Sequence, residues 1–305
     1  MDGLEMLREQ GVDGTLVRQV EEFRREHAVA EEVRDRVLEP ALPFFGREIL
    51  EMAIAALLQG ENLLLTGAKA TGKNILAENL AWLFGRPAYN ISFHVNIGSA
   101  ELIGTDTFVD NHVELRKGSI YRCAQYGGFG ILDEINMAKN DAVSVLHATL
   151  DFRREIDVPG YDRISLDDAA RFIGTMNYGY AGTRELNEAL VSRFLVIDMP
   201  PQNEETLMLI LCRLFPDAKR ESLKQFAGLF LDLQQKSGNG EISTKALDLR
   251  GIIAALKTVR CGLPPKKAVE MGIVNKCFDL FERDIVSDVV MTRIPEKWGR
   301  EDIFM

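Results

Sequence analysis

A glycine-rich segment at residues 67–74 has the residue types and spacing of a phosphate-binding loop. Gly67 and Gly72 are separated by four residues, and Lys73 follows directly. Glycines let the backbone wrap until its N–H groups face a phosphate, and the lysine ammonium reaches the β- and γ-phosphate oxygens. The apolar run Asn62–Thr66 precedes the loop and a helical pattern opens at Ile75, which predicts a strand, a loop and a helix. The residues expected to contact a bound nucleotide here are Gly67, Ala68, Lys69, Ala70, Thr71, Gly72, Lys73, Asn74 and Ile75.

Asn74 departs from the usual form of such a loop. The residue after the lysine is ordinarily Ser or Thr, whose hydroxyl binds Mg²⁺. An amide oxygen is also an acceptable ligand for this hard cation, although the longer side chain must sit differently. We therefore expect Asn74 to serve as a magnesium ligand, with nucleotide binding retained and hydrolysis as the step that the change affects.

Acidic and amide residues end two later apolar runs. Asp133 and Glu134 follow Gly130–Leu132, and Asn177 follows Phe172–Met176. Asp133 is predicted to hold magnesium through its water shell, and Glu134 to orient and activate the attacking water. Asn177 is predicted to hold the γ-phosphate or that water. Each pattern alone is also typical of a strand end or a turn, but their order after the glycine loop favours a nucleotide-hydrolysing site.

Two arginines are candidates for contacts that complete such a site. Arg193 precedes the last apolar run, and in an oligomeric ATPase an arginine there can stabilise the γ-phosphate of a neighbouring subunit. Arg250 opens the amphipathic stretch Leu247–Arg260 and is a candidate for sensing the nucleotide. Lys245 is a rival for that second role, and the residue pattern does not choose between them.

The chain divides into three regions by pattern. Residues 1–39 read as a charged helical extension with one apolar stripe, and residues 201–305, after Pro200 and Pro201, show only helical patterns. Residues 40–200 alternate short apolar runs with amphipathic stretches, which indicates an α/β fold with a parallel sheet covered on both faces. Ligands bind at the carboxyl ends of strands in such sheets, which would bring Gly67, Asp133 and Asn177 to one edge. The predicted strands are Asn62–Thr66, Ala88–Phe93, Phe129–Asp133, Arg171–Met176 and Phe194–Met199.

Composition limits the remaining possibilities. With 36 basic and 46 acidic residues the net charge is −10, which disfavours a general binder of nucleic-acid backbones. No apolar run approaches the length of a membrane span, and the first residues lack a signal-peptide core, so a cytoplasmic location is expected. The four cysteines are scattered and the four histidines lack metal-site spacing, which favours buried thiols and structural histidines.

Taken together, these residues resemble the AAA+ superfamily of ATPases and, within it, the MoxR type, which includes ATPases that activate rubisco and nitric oxide reductase and those of gas-vesicle assembly. The resemblance covers about residues 40–290 and is carried by Phe45–Glu48, Gly67–Asn74, Ile131–Asn136, Thr175–Asn177 and Ser192–Phe194. It implies a P-loop αβα sandwich with a five-stranded parallel sheet and an all-helical lid domain. It also implies binding of ATP or ADP with Mg²⁺, and a base site near Phe44, Phe45 and Gly46, between the core and the lid.

Two further segments are similar to the inserts of that group. Thr107–Leu115 reads as a hairpin around Asp110 and Asn111, and Glu155–Ile164 as a hairpin with Pro159 and Gly160 at its turn. Simple surface hairpins are the alternative. The resemblance implies loops that point into the pore of a ring, commonly a hexamer, and engage a client.

The function that the resemblance implies is ATP-driven remodelling or assembly of a protein client, commonly with a partner that carries a von Willebrand factor A domain. A nucleotide-gated binding or scaffold protein with weak hydrolysis is the alternative that Asn74 suggests. A nucleic-acid-associated motor subunit is a third reading, which the acidic balance disfavours.

Overall fold

The computed structural model describes residues 2–94, 96–158, 160–178 and 185–305. The chain forms two compact units. The first unit comprises Met1–Ala68 and Gly72–Pro200, and the second comprises Lys69–Thr71 and Pro201–Met305.

The first unit is built on strands joined by helices. Its helices are α1 (Gly3–Glu9), α2 (Gly14–Glu26), α3 (Arg47–Leu58), α4 (Lys73–Leu83), α5 (Ser99–Leu102), α6 (Ser119–Gln125), α7 (Asn140–Thr149) and α8 (Glu188–Val191). Its strands are β1 (Leu63–Gly67), β2 (Ala88–Ser92), β3 (Gly104–Val109), β4 (His112–Lys117), β5 (Phe129–Asp133), β6 (Glu155–Ile156), β7 (Ile164–Ser165), β8 (Arg171–Asn177) and β9 (Leu195–Asp198). Short 3-10 turns lie at Glu31–Arg36 and Ile135–Met137.

Five strands form one parallel sheet in the order β2-β5-β8-β1-β9. The interior strand β1 is buried along its whole length, as its continuous apolar sequence requires for a strand covered on both faces. One apolar core lies on each face, with Leu65 and Leu80 in the first and Leu64 and Leu132 in the second. This confirms the predicted five-stranded sheet, with strand ends shifted by one residue at several places.

The N-terminal helices pack into the first of these cores. Val17, Val20 and Phe23 form the buried stripe of α2. Arg24, one residue further, donates from Nε to the carbonyl of Leu83 at 2.7 Å, at the end of α4. A cation at a helix C-terminus is favoured by the exposed carbonyls and by the helix dipole, so this contact secures the helix that follows the phosphate-binding loop.

The second unit is helical beyond residue 200 in every element that the structure describes. Its helices are α9 (Glu204–Leu214), α10 (Arg220–Gly238), α11 (Leu249–Arg260), α12 (Pro265–Gly272), α13 (Leu280–Arg293) and α14 (Arg300–Ile303). The sequence pattern predicts continuous helix over Lys266–Val290, and this prediction was wrong, because a 3-10 turn at Val274–Lys276 separates α12 from α13. Asp279 caps the N-terminus of α13 by accepting from the Glu282 N–H at 3.0 Å. Aspartate is one of the residues preferred at this capping position.

Candidate functional site

The glycine loop has the backbone shape that its residue types predict. Gly67 and Gly72 have φ values of 144° and 93°, conformations that residues with a Cβ rarely adopt. Helix α4 begins at Lys73, two residues before the predicted start at Ile75. Gly72 accepts from the Leu76 N–H at 2.9 Å. The first turn of α4 therefore opens directly at the end of the loop, which is where a helix offers an anion site.

The Lys73 ammonium is buried inside the loop. Lys73 is only 6% exposed, and its Nζ donates to the carbonyls of Gly67 at 3.0 Å and Ala68 at 2.7 Å. Burial lowers the pKa of Lys73 from 10.5 to about 8, while the carboxylates of Asp133 and Asp198 oppose that shift. A buried cation whose pKa is depressed by desolvation gains from an added anion, which fits a phosphate group as ligand.

The sheet register places two predicted site residues beside the loop. Gly67 pairs with Asn177 between β1 and β8, and Leu132 pairs with Gly174 between β5 and β8. Asp133, the next residue of β5, therefore lies level with Thr175. Asp133 and Asn177 thus share the edge of the sheet that carries the loop, while their chemical roles stay predictions.

Thr175 connects the two acidic residues at the end of β5. Its hydroxyl donates to Asp133 Oδ1 at 2.6 Å and accepts from the Glu134 N–H at 3.3 Å. Glu134 has a φ of 53°, a left-handed conformation that is strained for a residue with a side chain. Such strain concentrates at functional sites, and the threonine hydroxyl is one of the contacts that hold it.

Asp198 belongs to this site although the sequence did not single it out. It ends β9, pairs in register with Thr66 of β1, and accepts from the hydroxyls of Thr66 at 3.3 Å and Tyr178 at 2.7 Å. Its charge acts on Lys73. An acidic residue that ends an apolar strand was the available signal, but only the strand order shows that β9 lies next to β1.

Arg193 lies at the amino end of β9, whereas the phosphate-binding loop follows the carboxyl end of β1. Arg193 precedes β9 and forms an ion pair with Asp151 at 3.5 Å. Asn62 Nδ2 donates to the Arg193 carbonyl at 3.3 Å, and Asn62 precedes Gly67 by five residues along β1, or roughly 16 Å at the rise of a β-strand. Arg193 is therefore too far away to contact phosphates held by its own loop, and the role predicted for it requires a second copy of the chain.

The segment expected to hold the base is fixed to the loop helix. Asn79 of α4 accepts from the Phe44 N–H at 3.1 Å and donates to the Leu42 carbonyl at 2.9 Å. Phe44 is buried, Phe45 is half-buried, and Gly46 has a φ of 150°. Asn74 and Ile75, the second and third residues of α4, are both half-buried.

The remaining predicted site residues belong to the second unit. Lys69 donates to the Thr244 carbonyl at 3.0 Å, and the Thr71 carbonyl accepts from the Gln202 side chain at 2.8 Å. Arg250 is the second residue of α11 and is exposed, and Lys245 is exposed with its ammonium 5.8 Å from the ring centre of Phe278. The choice between Arg250 and Lys245 stays open.

Both predicted hairpins are present as two-stranded ladders. β3 and β4 pair around Asp110 and Asn111, whose φ values of 46° and 70° are those of a tight hairpin turn. Phe108 and Val113 face each other across this ladder and are 70% and 59% exposed. β6 and β7 form the second ladder, and Pro159 of its turn lies outside the described residues.

Within the described ranges, no group of three or more His, Cys, Asp or Glu side chains could hold a metal ion. Cys123 and Cys277 are buried as expected, and burial raises the pKa of the Cys277 thiol to about 11. Cys261 is exposed, so the expectation of buried thiols was wrong there. Among the helices described, none is long and apolar enough to cross a membrane.

Comparison with known proteins identifies the family. The AAA domain (dynein-related subfamily) matches residues 62–194, a range that contains the loop, Asp133, Asn177 and Arg193. The chain is 32% identical over 249 residues to the uncharacterized protein YojN of Bacillus subtilis, covering 80% of this chain and 82% of YojN. The chain belongs to the AAA family. Within that family, the glycine loop and the buried Lys73 support nucleotide binding by this chain.

One further relative and one solved structure are also similar to this chain. SERP0979 of Staphylococcus epidermidis is 28% identical over 249 residues, which cover 79% of this chain and 94% of that protein. A solved structure of a RuvB proline-to-glycine mutant from Thermotoga maritima aligns with a TM-score of 0.48 at 16% identity, covering 82% of this chain and 71% of that chain.

Proposed function

We propose that this AAA protein hydrolyses ATP, and that it uses the energy to remodel or assemble a protein client. The observation that carries the proposal is the register of the sheet, which brings Asn177 beside Gly67 and Asp133 level with Thr175. The phosphate loop and the residues that hydrolysis requires thus share one edge. Lys73 binds the β- and γ-phosphates, Glu134 accepts the proton of the attacking water, and Asn177 orients that water or the γ-phosphate.

The residues present fit a magnesium ion bound together with the nucleotide. Asp133 offers a carboxylate at the end of β5, and Asn74 offers an amide oxygen in the first turn of α4. Both are oxygen donors, the type that Mg²⁺ prefers, and an ion that retains several waters needs only one or two of them. When bound, magnesium neutralises charge on the phosphates. The residues of the chain position the nucleotide and move the proton.

Glu134→Gln and Lys73→Ala test the proposal. Phosphate release is measured with and without magnesium, and binding of a fluorescent ATP analogue is measured in parallel. We expect Glu134→Gln to bind the analogue like the wild type and to lose hydrolysis, since the amide cannot take the proton. We expect Lys73→Ala to lose binding. Wild-type turnover that Glu134→Gln leaves unchanged would contradict the mechanism.

The client-directed part of the proposal depends on the two hairpins. Phe108 and Val113 form an exposed apolar pair on the first hairpin. The Tyr161 hydroxyl of the second hairpin donates to Asp106 Oδ1 of the first at 2.7 Å, so the two are joined. A groove of about 580 Å³ lies between them and α7. An exposed apolar pair on a hairpin whose Gly104–Asp106 segment lines a groove is a surface suited to an apolar segment of another protein.

The resemblance to MoxR-type ATPases extends this proposal to a ring, most often a hexamer, and to a partner with a von Willebrand factor A domain. Light scattering of Glu134→Gln with ATP measures the assembly, and a mass of a single chain in every nucleotide state would contradict the ring. Client contact is measured by capture on the same ATP-loaded variant. Phe108→Ser should abolish capture, and Leu38→Ser, which changes an apolar residue of similar exposure (69% against 70%) outside the hairpins, should not.

A second function, a nucleotide-gated binding protein with weak hydrolysis, is favoured by one observation. Asn74 stands in the first turn of α4 where a hydroxyl residue is usual. A chain of this kind would bind ATP and change its partner affinity without appreciable turnover. Robust magnesium-dependent turnover by the wild type would exclude it.

A further inference from the structure

The side chain of Gln10 holds the backbone of residues 44–46 at two points. Its Nε2 donates to the Phe44 carbonyl at 2.8 Å, and its Oε1 accepts from the Gly46 N–H at 3.1 Å. Gln10 is the residue that ends α1, in the N-terminal part of the chain. A primary amide carries one donor and one acceptor group, and here both are used on one short segment.

A second amide, on helix α4, bonds to the same segment. Asn79 of α4 bonds to the Phe44 N–H and to the Leu42 carbonyl. Asn79 follows Lys73 by six residues on one helix, which is about 9 Å at the helical rise. Leu42 and Phe44 are therefore bonded to the same helix that opens at the phosphate loop, within about two helical turns of Lys73.

The backbone of residues 44–46 has an uncommon conformation that depends on contacts with its surroundings. Gly46 has a φ of 150°, and a Cβ at that position would lie 3.1 Å from Phe44 Cε1. Gly46 also precedes α3, whose first turn closes with the Leu50 N–H donating to the Gly46 carbonyl at 3.0 Å. A backbone in an uncommon conformation persists when its surroundings fix it, and Gln10 bonds to the residues on both sides of Phe45.

We propose that Gln10 is a positioning residue for the purine base of the bound nucleotide. It keeps Phe44–Gly46 shaped to receive the base, while the loop around Lys73 binds the phosphates independently. The N-terminal helix α1 is then part of the nucleotide site. The inference rests on the proposed function, since ATP must be the ligand, and on the expectation from the sequence that residues 44–46 contact its base.

Comparing ATP with a phosphate ligand that lacks the base separates the role of Gln10 from a general loss of structure. Gln10→Ala removes both hydrogen bonds, and Gln10→Met removes them while keeping most of the side-chain volume. Gln59→Ala is the matched control, because Gln59 is also an amide that ends a helix, α3, and is exposed. Affinities for ATP and for inorganic tripolyphosphate are measured by competition with a fluorescent ATP analogue, together with KM, kcat and the melting temperature.

We expect Gln10→Ala and Gln10→Met to weaken ATP binding and raise KM by about tenfold, the worth of two modest hydrogen bonds. Tripolyphosphate affinity and kcat should stay within about twofold, because the phosphate loop is unchanged. Gln59→Ala should match the wild type throughout.

Equal ATP affinity in Gln10→Met and Gln59→Ala would overturn the inference. A parallel loss of tripolyphosphate affinity would overturn it as well, because the effect would then not be confined to the base. If Gln10→Ala does not fold, Gln10→Met decides. A wild type that binds neither ATP nor tripolyphosphate contradicts the proposed function itself, and a wild type that binds both while the Gln10 variants behave like Gln59→Ala contradicts only the inference.

Discussion

The hydroxyl of Thr175 donates to Asp133 Oδ1 at 2.6 Å, from one strand of the sheet to the next. The same oxygen accepts from the Glu134 N–H at 3.3 Å. One neutral side chain thus orients the carboxylate proposed to face magnesium and holds the left-handed backbone of the proposed general base. Thr175 is 1% exposed, so water cannot easily replace either bond.

Thr175→Val keeps the shape of the side chain and removes both bonds. We expect kcat to fall by roughly 10- to 100-fold, because a misplaced catalytic group loses its alignment with the reacting atoms. KM should change little, since the loop that binds the phosphates is intact. Stability should fall by about 1–3 kcal/mol, the cost of unsatisfied buried groups.

Thr149→Val is the control for that experiment. Thr149 is 2% exposed and its hydroxyl donates to the Val145 carbonyl at 2.8 Å, within α7. Stability is measured by urea unfolding and turnover by phosphate release. A Thr175→Val enzyme with wild-type kcat, or a Thr149→Val enzyme with the same loss of kcat, would refute the positioning role.

Nucleotide binding should depend on pH through Lys73. Its pKa in the folded protein is lowered by burial to about 8, and a bound triphosphate favours the charged ammonium. Affinity for ATP should therefore fall as the pH rises through about 8, and binding at pH 8.5 should take up a fraction of a proton. The pH dependence of folding stability is opposite to that of ATP affinity. Between pH 8 and 10.5 the unfolded chain keeps the Lys73 proton and the folded chain has lost it, so the contribution of Lys73 to the free energy of unfolding rises over that range.

Calorimetry in two buffers of different ionisation enthalpy measures the proton taken up. The same titration at pH 6.5 is the internal control, because Lys73 is already protonated there and the uptake assigned to it should vanish. Equal proton uptake at both pH values would show that another group is responsible.

The position of Arg193 predicts that hydrolysis requires contact between copies. The Arg193 carbonyl is bonded to Asn62, five residues and roughly 16 Å along β1 from Gly67, so we expect its guanidinium to serve the site of another chain. Arg193→Ala should bind ATP normally and lose about 10³-fold in kcat. Mixing it with Lys73→Ala should restore part of the activity, since a Lys73→Ala copy still offers Arg193 to a neighbour with an intact loop.

Arg153→Ala is the matched control for Arg193→Ala. Both arginines pair with Asp151, Arg193 at 3.5 Å and Arg153 at 3.4 Å, so both substitutions remove an ion pair from the same carboxylate. The Arg153 side chain is 73% exposed, and its loss should leave kcat within about twofold. Comparable losses in the two variants, or no recovery on mixing, would contradict a contact between copies.

The sequence predicted best the positions of residues that follow an apolar strand, while their roles stay predictions. Gly67, Asp133 and Asn177 each end or follow such a run, and parallel strands deliver their carboxyl ends to one edge whatever their order. Asp198 fits the same pattern and was missed, because its importance depends on β9 lying beside β1. Strand order is set by packing of the whole unit, which one strand does not encode.

Residues that act through hydrogen bonds to backbone groups far along the chain could not be predicted from the sequence pattern. Gln10 and Phe44 are 34 positions apart, and Asn79 reaches Leu42 across 37. An isolated glutamine at the end of a helix and an asparagine within one have no spacing that points to a partner. The break between α12 and α13 was missed for a different reason: helical patterns lie on both sides of it, so the sequence pattern did not indicate an interruption.

The amide at position 74 predicts a graded effect on turnover. Asn74 is the second residue of α4, where a threonine hydroxyl would reach magnesium over a shorter side chain. Asn74→Thr should raise kcat several-fold with little change in ATP affinity, because the loop backbone and Lys73 are unchanged. Asn74→Leu has a similar volume and no oxygen, so it should lower kcat and raise the magnesium concentration needed for half-maximal turnover.

Magnesium titrations of phosphate release, with ATP held saturating, rank the three side chains. The expected order of magnesium affinity is Thr, then Asn, then Leu, if the residue at position 74 is a ligand. A Leu variant with the magnesium dependence of the wild type would show that Asn74 does not contact the ion. In that case Asn74→Thr should not raise kcat, because both expected effects require an oxygen ligand at position 74.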